Sequence, residues 1–206
     1  GHKKGGIAIV SVIVACFFGA LSGSGPATVA ALGSILVPAM VDKDGFKPNF
    51  ATTLLAAASS IAIVIPPSIA FIVYSSITGA AVGDLFMAGI IPGILMGVAL
   101  VVLIKMECKS AHIEAHRAKS SWGARGKSFV KAFWAFLMPV IILGGIYGGI
   151  FTPTEAAAVS AVYGLIVGLF IYREVKPSNL WSIFVDSVTT SGSVMIIIGC
   201  ASLFSY

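Results

Sequence analysis

Two apolar runs, Ile7–Leu21 and Pro26–Met40, meet at Ser22-Gly23-Ser24-Gly25-Pro26. Few arrangements tolerate that sequence. A hydrocarbon interior offers the backbone no water, so a spanning segment must satisfy its peptide groups internally, as a helix or a closed barrel does. Irregular backbone survives at membrane depth only where protein buries it or a wet cavity receives it. That the setting is a membrane follows from composition: 58% of the 206 residues are hydrophobic and 10% charged, against about 25% charged in soluble domains. The sequence therefore predicts an all-α integral membrane protein. Its 23 glycines suit helices that approach closely in lipid.

A helix rises about 1.5 Å per residue and needs about 20 residues to cross the hydrocarbon core. Leu85–Ile104, Ala132–Ile150 and Ala156–Tyr172 approach that length. Ile7–Leu21 and Pro26–Met40 fall short, at about 22 Å each. They predict a re-entrant hairpin; two short tilted spans are the alternative. Asn49–Ile77 is too long for one crossing, at about 43 Å, and Pro66-Pro67 interrupts it. Proline lacks an N–H and crowds the preceding turn. Two half-helices, Asn49–Val64 and Pro67–Ile77, are expected, with a simple proline kink as the alternative. The resulting segments are a hairpin (1–41), a discontinuous transmembrane helix (42–83), a transmembrane helix (84–104), a basic arm (105–131), two further transmembrane helices (132–150 and 151–173), and an interfacial arm leading into a last helix (174–206).

Charge orients this arrangement. With those crossings, all 13 Lys and Arg share one face, leaving only Asp84 and Glu155 opposite. The positive-inside rule makes the basic face cytoplasmic. The 105–131 stretch carries seven Lys/Arg against Glu107 and Glu114, a balance suited to an anionic lipid surface rather than to nucleic acid. His112 and His116 lie one helical turn apart, but Glu114 does not fit the H-E-x-x-H pattern of a zinc site. Cys16, Cys108 and Cys200 show neither disulfide nor metal spacing. Ser178–Thr190 reads as a second interfacial segment. The N-terminal Gly1-His2-Lys3-Lys4 and the apolar C-terminal run Met195–Tyr206 are expected to be cut ends of a longer chain.

The polar breaks are the candidate site. At the hairpin tip, carbonyls ending one helix and amides opening the next face the same turn, with Gly25 expected as cap and Pro26 at the first helical position. Ser22, Ser24 and Thr28 add oxygens there. At the second break, the carbonyls near Ile65 and Pro66, the helix start at Pro67, and the hydroxyls of Ser59, Ser60 and Ser68 do the same. Two broken elements at similar depth match the design of secondary-transporter sites. No acid lies at that depth, which favours Na+ over a proton relay. An Na+ site is expected at Ser22, Gly23, Ser24 and Ile65, with no other cofactor and no catalytic residue. A serine nucleophile in SGSG lacks a histidine in reach, and Gly23–Thr28 fails the dinucleotide pattern. A channel with a re-entrant loop and a non-conducting scaffold remain the alternatives. Thr152, Pro153 and Glu155 are expected to form a helix capping box without a transport role. Thr189, Thr190 and Ser191 are left unplaced.

GHKKGGIAIV, FFGALSGSGPATVAALGSILVPAM, IPPSIAFIVYSSITG, DLFMAGIIPGILMG and PVIILGGIYGGIFTPTEAAAVSAVYGLIVG occur in that order. Together they resemble the large membrane subunit, DctM-type, of the tripartite ATP-independent periplasmic (TRAP) transporters. The resemblance implies an Na+-driven importer of organic acids, such as C4-dicarboxylates or sialic acids, in the bacterial inner membrane. It implies two partners, a small four-helix membrane subunit and a periplasmic solute-binding protein. It also implies an elevator-type fold of inverted repeats, in which Ser22–Pro26 would be the first hairpin tip and Ser59–Ser68 its partnered break. Family members are about twice as long, so the chain corresponds to their middle part.

Overall fold

Apolar runs become helices because lipid leaves the backbone little other choice. The computed structural model describes residues 5–110 and 122–204, and no strand occurs among them. Five helical stretches in the described residues are long and apolar enough to cross a membrane: Gly25–Asp44, Val82–Ser110, Ser128–Tyr147, Pro153–Ile171 and Pro177–Leu203. The chain divides into two units, one of Gly1–Ile72 and Ala81–Phe133, the other of Val73–Ala80 and Trp134–Tyr206.

In the first unit, α1 (Gly6–Ser22) and α2 (Gly25–Asp44) form an antiparallel helical hairpin. α2 corrects the expected length of the second arm. It passes Met40 and continues through Val41, Asp42, Lys43 and Asp44, giving 20 residues, enough to cross on length. The helix ends where backbone geometry ends it rather than where hydrophobicity does. Gly45 adopts a left-handed φ of 77° and its N–H bonds Val41 O at 3.1 Å.

The hairpin base is held by a carboxylate. Asp44, at the end of α2, is buried and accepts from the amides of Ile7 at 2.7 Å and Ala8 at 3.3 Å. The first turn of α1 contains no acid of its own, so Asp44 supplies the negative charge that a helix N-terminus favours. α3 (Pro48–Ser60) packs on both arms. Ile7, Ala8 and Val12 of α1 join Met40 of α2 and Leu54 and Leu55 of α3 in one core. Small residues let the backbones approach: Ala8, Ala15 and Gly19 of α1 are buried, as are Ala58 and Ala62.

After Ser60 the chain tightens into a 3-10 turn, Ile61–Ile63, then runs irregularly to Ser68. α4 (Ile69–Thr78) follows. The expected half-helices are therefore shorter than their proposed bounds, and the second opens at Ile69, not Pro67. An irregular stretch, Val64 to Ser68, separates the 3-10 turn from α4, which makes this an interruption rather than a kink. α5 (Val82–Ser110) lies against α1, α3 and the 3-10 turn. It passes Ile104 without a break, so Lys105–Ser110 extends a transmembrane helix instead of starting a separate arm. α6 (Trp122–Tyr147) likewise begins well before Ala132. His112, Glu114 and His116 lie outside the described residues.

In the second unit, α6 ends at a glycine turn. Gly149 has a left-handed φ of 67°, and Ile150 and Phe151 return their amides to Gly145 O at 2.9 and 3.1 Å. α7 (Pro153–Ile166) then opens on the expected capping box: Glu155 N–H donates to Thr152 Oγ1 at 3.3 Å, and Thr152 N–H donates to Glu155 Oε2 at 2.8 Å. Tyr163 donates its hydroxyl to Trp134 O at 2.7 Å, tying α7 to α6. α7 finishes in a wide π turn, Val167–Ile171, closed by Tyr172 N–H on Val167 O at 2.9 Å. α8 (Leu180–Phe204) is one continuous helix. The expected interfacial piece Ser178–Thr190 is thus mostly its first half. Thr189 and Thr190 bond back to Val185 O and Asp186 O within it.

Candidate functional site

The hairpin tip is a two-residue link. α1 stops because Gly23 turns left-handed, φ 62°, with its N–H on Gly19 O at 2.7 Å. Ser24 is extended, φ −132°, and its side chain accepts from Ala27 N at 3.4 Å. Ser24, not Gly25, is therefore the cap of α2. A serine oxygen can receive a first-turn amide; glycine has nothing to offer one. Pro26 follows in the first turn, where its missing N–H costs nothing.

The tip hydroxyls bond one another. Thr28, fully buried, donates to Ser24 O at 2.8 Å and lies 3.2 Å from Ser22 Oγ. Ser22 Oγ also accepts from Ser24 N–H at 3.3 Å. Ser22, Ser24 and Thr28 thus form one polar knot that fixes the turn.

The break is built in a similar way. Ile61 O receives the amides of Val64 and Ile65 at 2.9 and 2.8 Å. Ser68, fully buried, donates its hydroxyl to Ile63 O at 2.5 Å and accepts Ile72 N–H on its own carbonyl at 3.3 Å. Ser68 therefore bridges the carbonyl end of one half-helix and the amide start of the next. The Pro66–Pro67 peptide is cis.

Glycines bring the two elements together. A Cβ on Gly23 would fall 3.0 Å from Ile69 Cγ1, 3.3 Å from the Ile69 amide nitrogen and 3.5 Å from Pro67 O. One on Gly25 would lie 3.1 Å from Ser59 O, and one on Gly19 would overlap Ala62. The tip therefore brings glycine backbone against both backbone and side-chain atoms of the break. The first-turn amides of α4 have no partner inside their own helix, and Gly23 lies beside the one on Ile69.

The remaining candidates are distributed unevenly. Ser59 is buried, and its hydroxyl bonds Ala56 O at 2.8 Å while its carbonyl faces Gly25. Ser60 is exposed and bonds Ala57 O at 2.7 Å, so its hydroxyl serves its own helix. Pro66 is buried and Pro26 exposed. Ile65 turns its side chain to α5, where it fills the space over Gly93.

Sequence reasoning missed the α5 contribution. Gly89 faces Val64 O and the Phe71 ring, and Gly93 faces Ile65; a methyl on either would overlap those atoms. The spacing Gly89, Gly93, Gly97 was the available signal, because small residues four apart make a flat helix face. Asp44 was missed as well. Its neighbour Gly45 marked a helix end, but nothing local pointed to a partner 37 residues earlier.

Along residues 1–206 the chain matches the family described as the tripartite ATP-independent periplasmic transporter, DctM component. The chain belongs to the DctM family. It is 44% identical over 208 aligned residues to the C4-dicarboxylate TRAP transporter large permease protein DctM of Pseudomonas aeruginosa, covering 100% of the chain and 48% of that protein. The isethionate TRAP transporter permease protein DctMQ of Oleidesulfovibrio alaskensis is 42% identical, over 99% of the chain and 32% of its own length. The ectoine TRAP transporter large permease protein TeaC of Halomonas elongata is 40% identical, over 100% and 48%. The chain thus spans about half the length of two of these relatives, 48%, and about a third, 32%, of the other. DctM-family proteins are transporter permeases of the bacterial inner membrane, not enzymes. In general they work with a small membrane subunit and a periplasmic binding protein.

Proposed function

We propose that the DctM-family chain is part of an Na+-coupled TRAP permease that imports an organic acid. The observation that carries this reading is the seat of Gly23 against Pro67 O and the Ile69 amide. There the polar ends of two interrupted elements converge inside otherwise apolar helices. The N-terminal amides of α2 and α4 would face a substrate carboxylate, as helix N-termini favour anions. The carbonyls closing α1 and the 3-10 turn, with Ser22, Gly23, Ser24 and Ile65, would face Na+. In this reading the hairpin is re-entrant and moves as a rigid body in an elevator-type cycle. A periplasmic solute-binding protein would deliver the substrate, and a small four-helix membrane subunit would brace the moving domain. The substrate is an organic acid of the C4-dicarboxylate or sialic acid kind.

Uptake by the full-length permease, reconstituted with both partners in proteoliposomes, tests this directly. Uptake of labelled organic acid should rise when an inward Na+ gradient is imposed. Uptake indifferent to Na+ would remove the coupling, and passive flux without the binding protein would favour a channel.

A further inference from the structure

A groove of about 400 Å³ runs between α1 and α5. Val12, Ile13, Cys16 and Phe17 line it from α1. From α5 come Gly93, Gly97, Val101 and Lys105, spaced every four residues along one stripe, with Val98 and Val102 beside them. The stripe is about 18 Å long. Its two ends differ. At Gly93 the Ile65 side chain closes it, whereas a methyl added at Gly97 would meet nothing within 4 Å. At the other end Lys105 is exposed, and Lys109 continues the stripe one turn further, also exposed.

We propose that this groove binds an anionic phospholipid, one acyl chain lying along α5 and the headgroup phosphate meeting Lys105. The charge pattern selects that occupant. The lining is apolar and uncharged until its final residue, which is a cation; a phospholipid is apolar along its chain and anionic at its head. A lysine ending a transmembrane stripe reaches for the interface, where such phosphates are concentrated. The volume lies toward the lower end of small-ligand pockets, about 300–1,000 Å³, and suits a single flexible chain. The glycine floor at Gly97 gives it room without the side-chain holes a packed helix needs.

The test uses the full-length permease with tryptophan placed at Val98 and its other tryptophans changed to phenylalanine. Quenching is compared in bilayers containing brominated phosphatidylglycerol or brominated phosphatidylcholine. Half-quenching should need about fivefold less phosphatidylglycerol, the preference expected from one lysine near an anionic headgroup. Lys105→Gln should bring the two lipids level, and Lys105→Glu should turn the preference toward phosphatidylcholine. Equal quenching by both lipids with Lys105 intact would overturn the proposal. So would the absence of quenching, which would mean that a protein segment fills the groove. Native mass spectrometry of the permease without the tryptophan substitution gives an independent measure. Retained phosphatidylglycerol should fall about fivefold in Lys105→Gln, and undiminished retention would also overturn it.

Discussion

The Asp44 carboxylate accepts the Ile7 amide at 2.7 Å, so the last residue of α2 holds the first turn of α1. A buried acceptor at a helix N-terminus contributes about 1–2 kcal/mol. Asp44→Ala should therefore lower the thermal unfolding midpoint of the detergent-solubilised full-length permease. Asp44→Asn, which keeps an acceptor but no charge, should lower it less. A midpoint unchanged in Asp44→Ala would show that the hairpin base is held by other contacts.

Gly23 and Gly45 separate backbone strain from contact. Both are left-handed, at φ 62° and 77°, so alanine strains each by about 1–2 kcal/mol. Only Gly23 has neighbours, Ile69 and Pro67, where the methyl would go; Gly45 has nothing within 4 Å. Gly23→Ala should cut substrate uptake severely while Gly45→Ala leaves it closer to wild type at equal protein levels. Matching losses would mean that the seat of the tip on the break does not matter for transport.

Gly93 makes room for Ile65. Gly93→Ala should destabilise by about 1–3 kcal/mol through overpacking. Ile65→Ala removes the obstructing Cγ1 and Cδ1 atoms, so the double variant should recover part of that loss. A coupling of about 0.5–3 kcal/mol in a double-mutant cycle is expected; strict additivity would refute the contact.

Ser68 and Ser60 are both hydroxyls beside the break, with different duties. Ser68→Ala removes the bond from the buried Ser68 hydroxyl to the Ile63 carbonyl, at a cost of about 0.5–1.5 kcal/mol. Ser60→Ala loses a bond on an exposed face, and such changes stay within about 0.5 kcal/mol. Chemical denaturation of the two variants checks the order, and a larger loss for Ser60→Ala would reverse the assignment of the bridge.

Local chemistry made the interruptions legible. Proline at 66 and 67, glycine at 23, and the Thr152–Glu155 spacing each constrain only the few bonds around them, and the chain turns or caps where they stand. Helix ends set by longer logic were less visible. α2 runs through Asp42 and Lys43, and α5 through Lys105, because a helix backbone does not stop where side chains become charged. The contacts that join the tip to the break were not legible at all. Gly19 meets Ala62, and Gly25 meets Ser59 O, through absent side chains, and an absence carries no sign of which neighbour will occupy it. The same holds for Asp44, whose partner is fixed only once α1 and α2 lie side by side.

The wide turn at Val167–Ile171 fits one residue more per hydrogen-bonded loop than the helix before it. The helix ends in that wider loop, since Tyr172 and Arg173 that follow it are no longer helical. A tryptophan scan from Pro153 to Tyr172 should thus read as one wave with the helical period as far as Ile166 that loses that period from Val167 onward, rather than as one wave along the whole stretch.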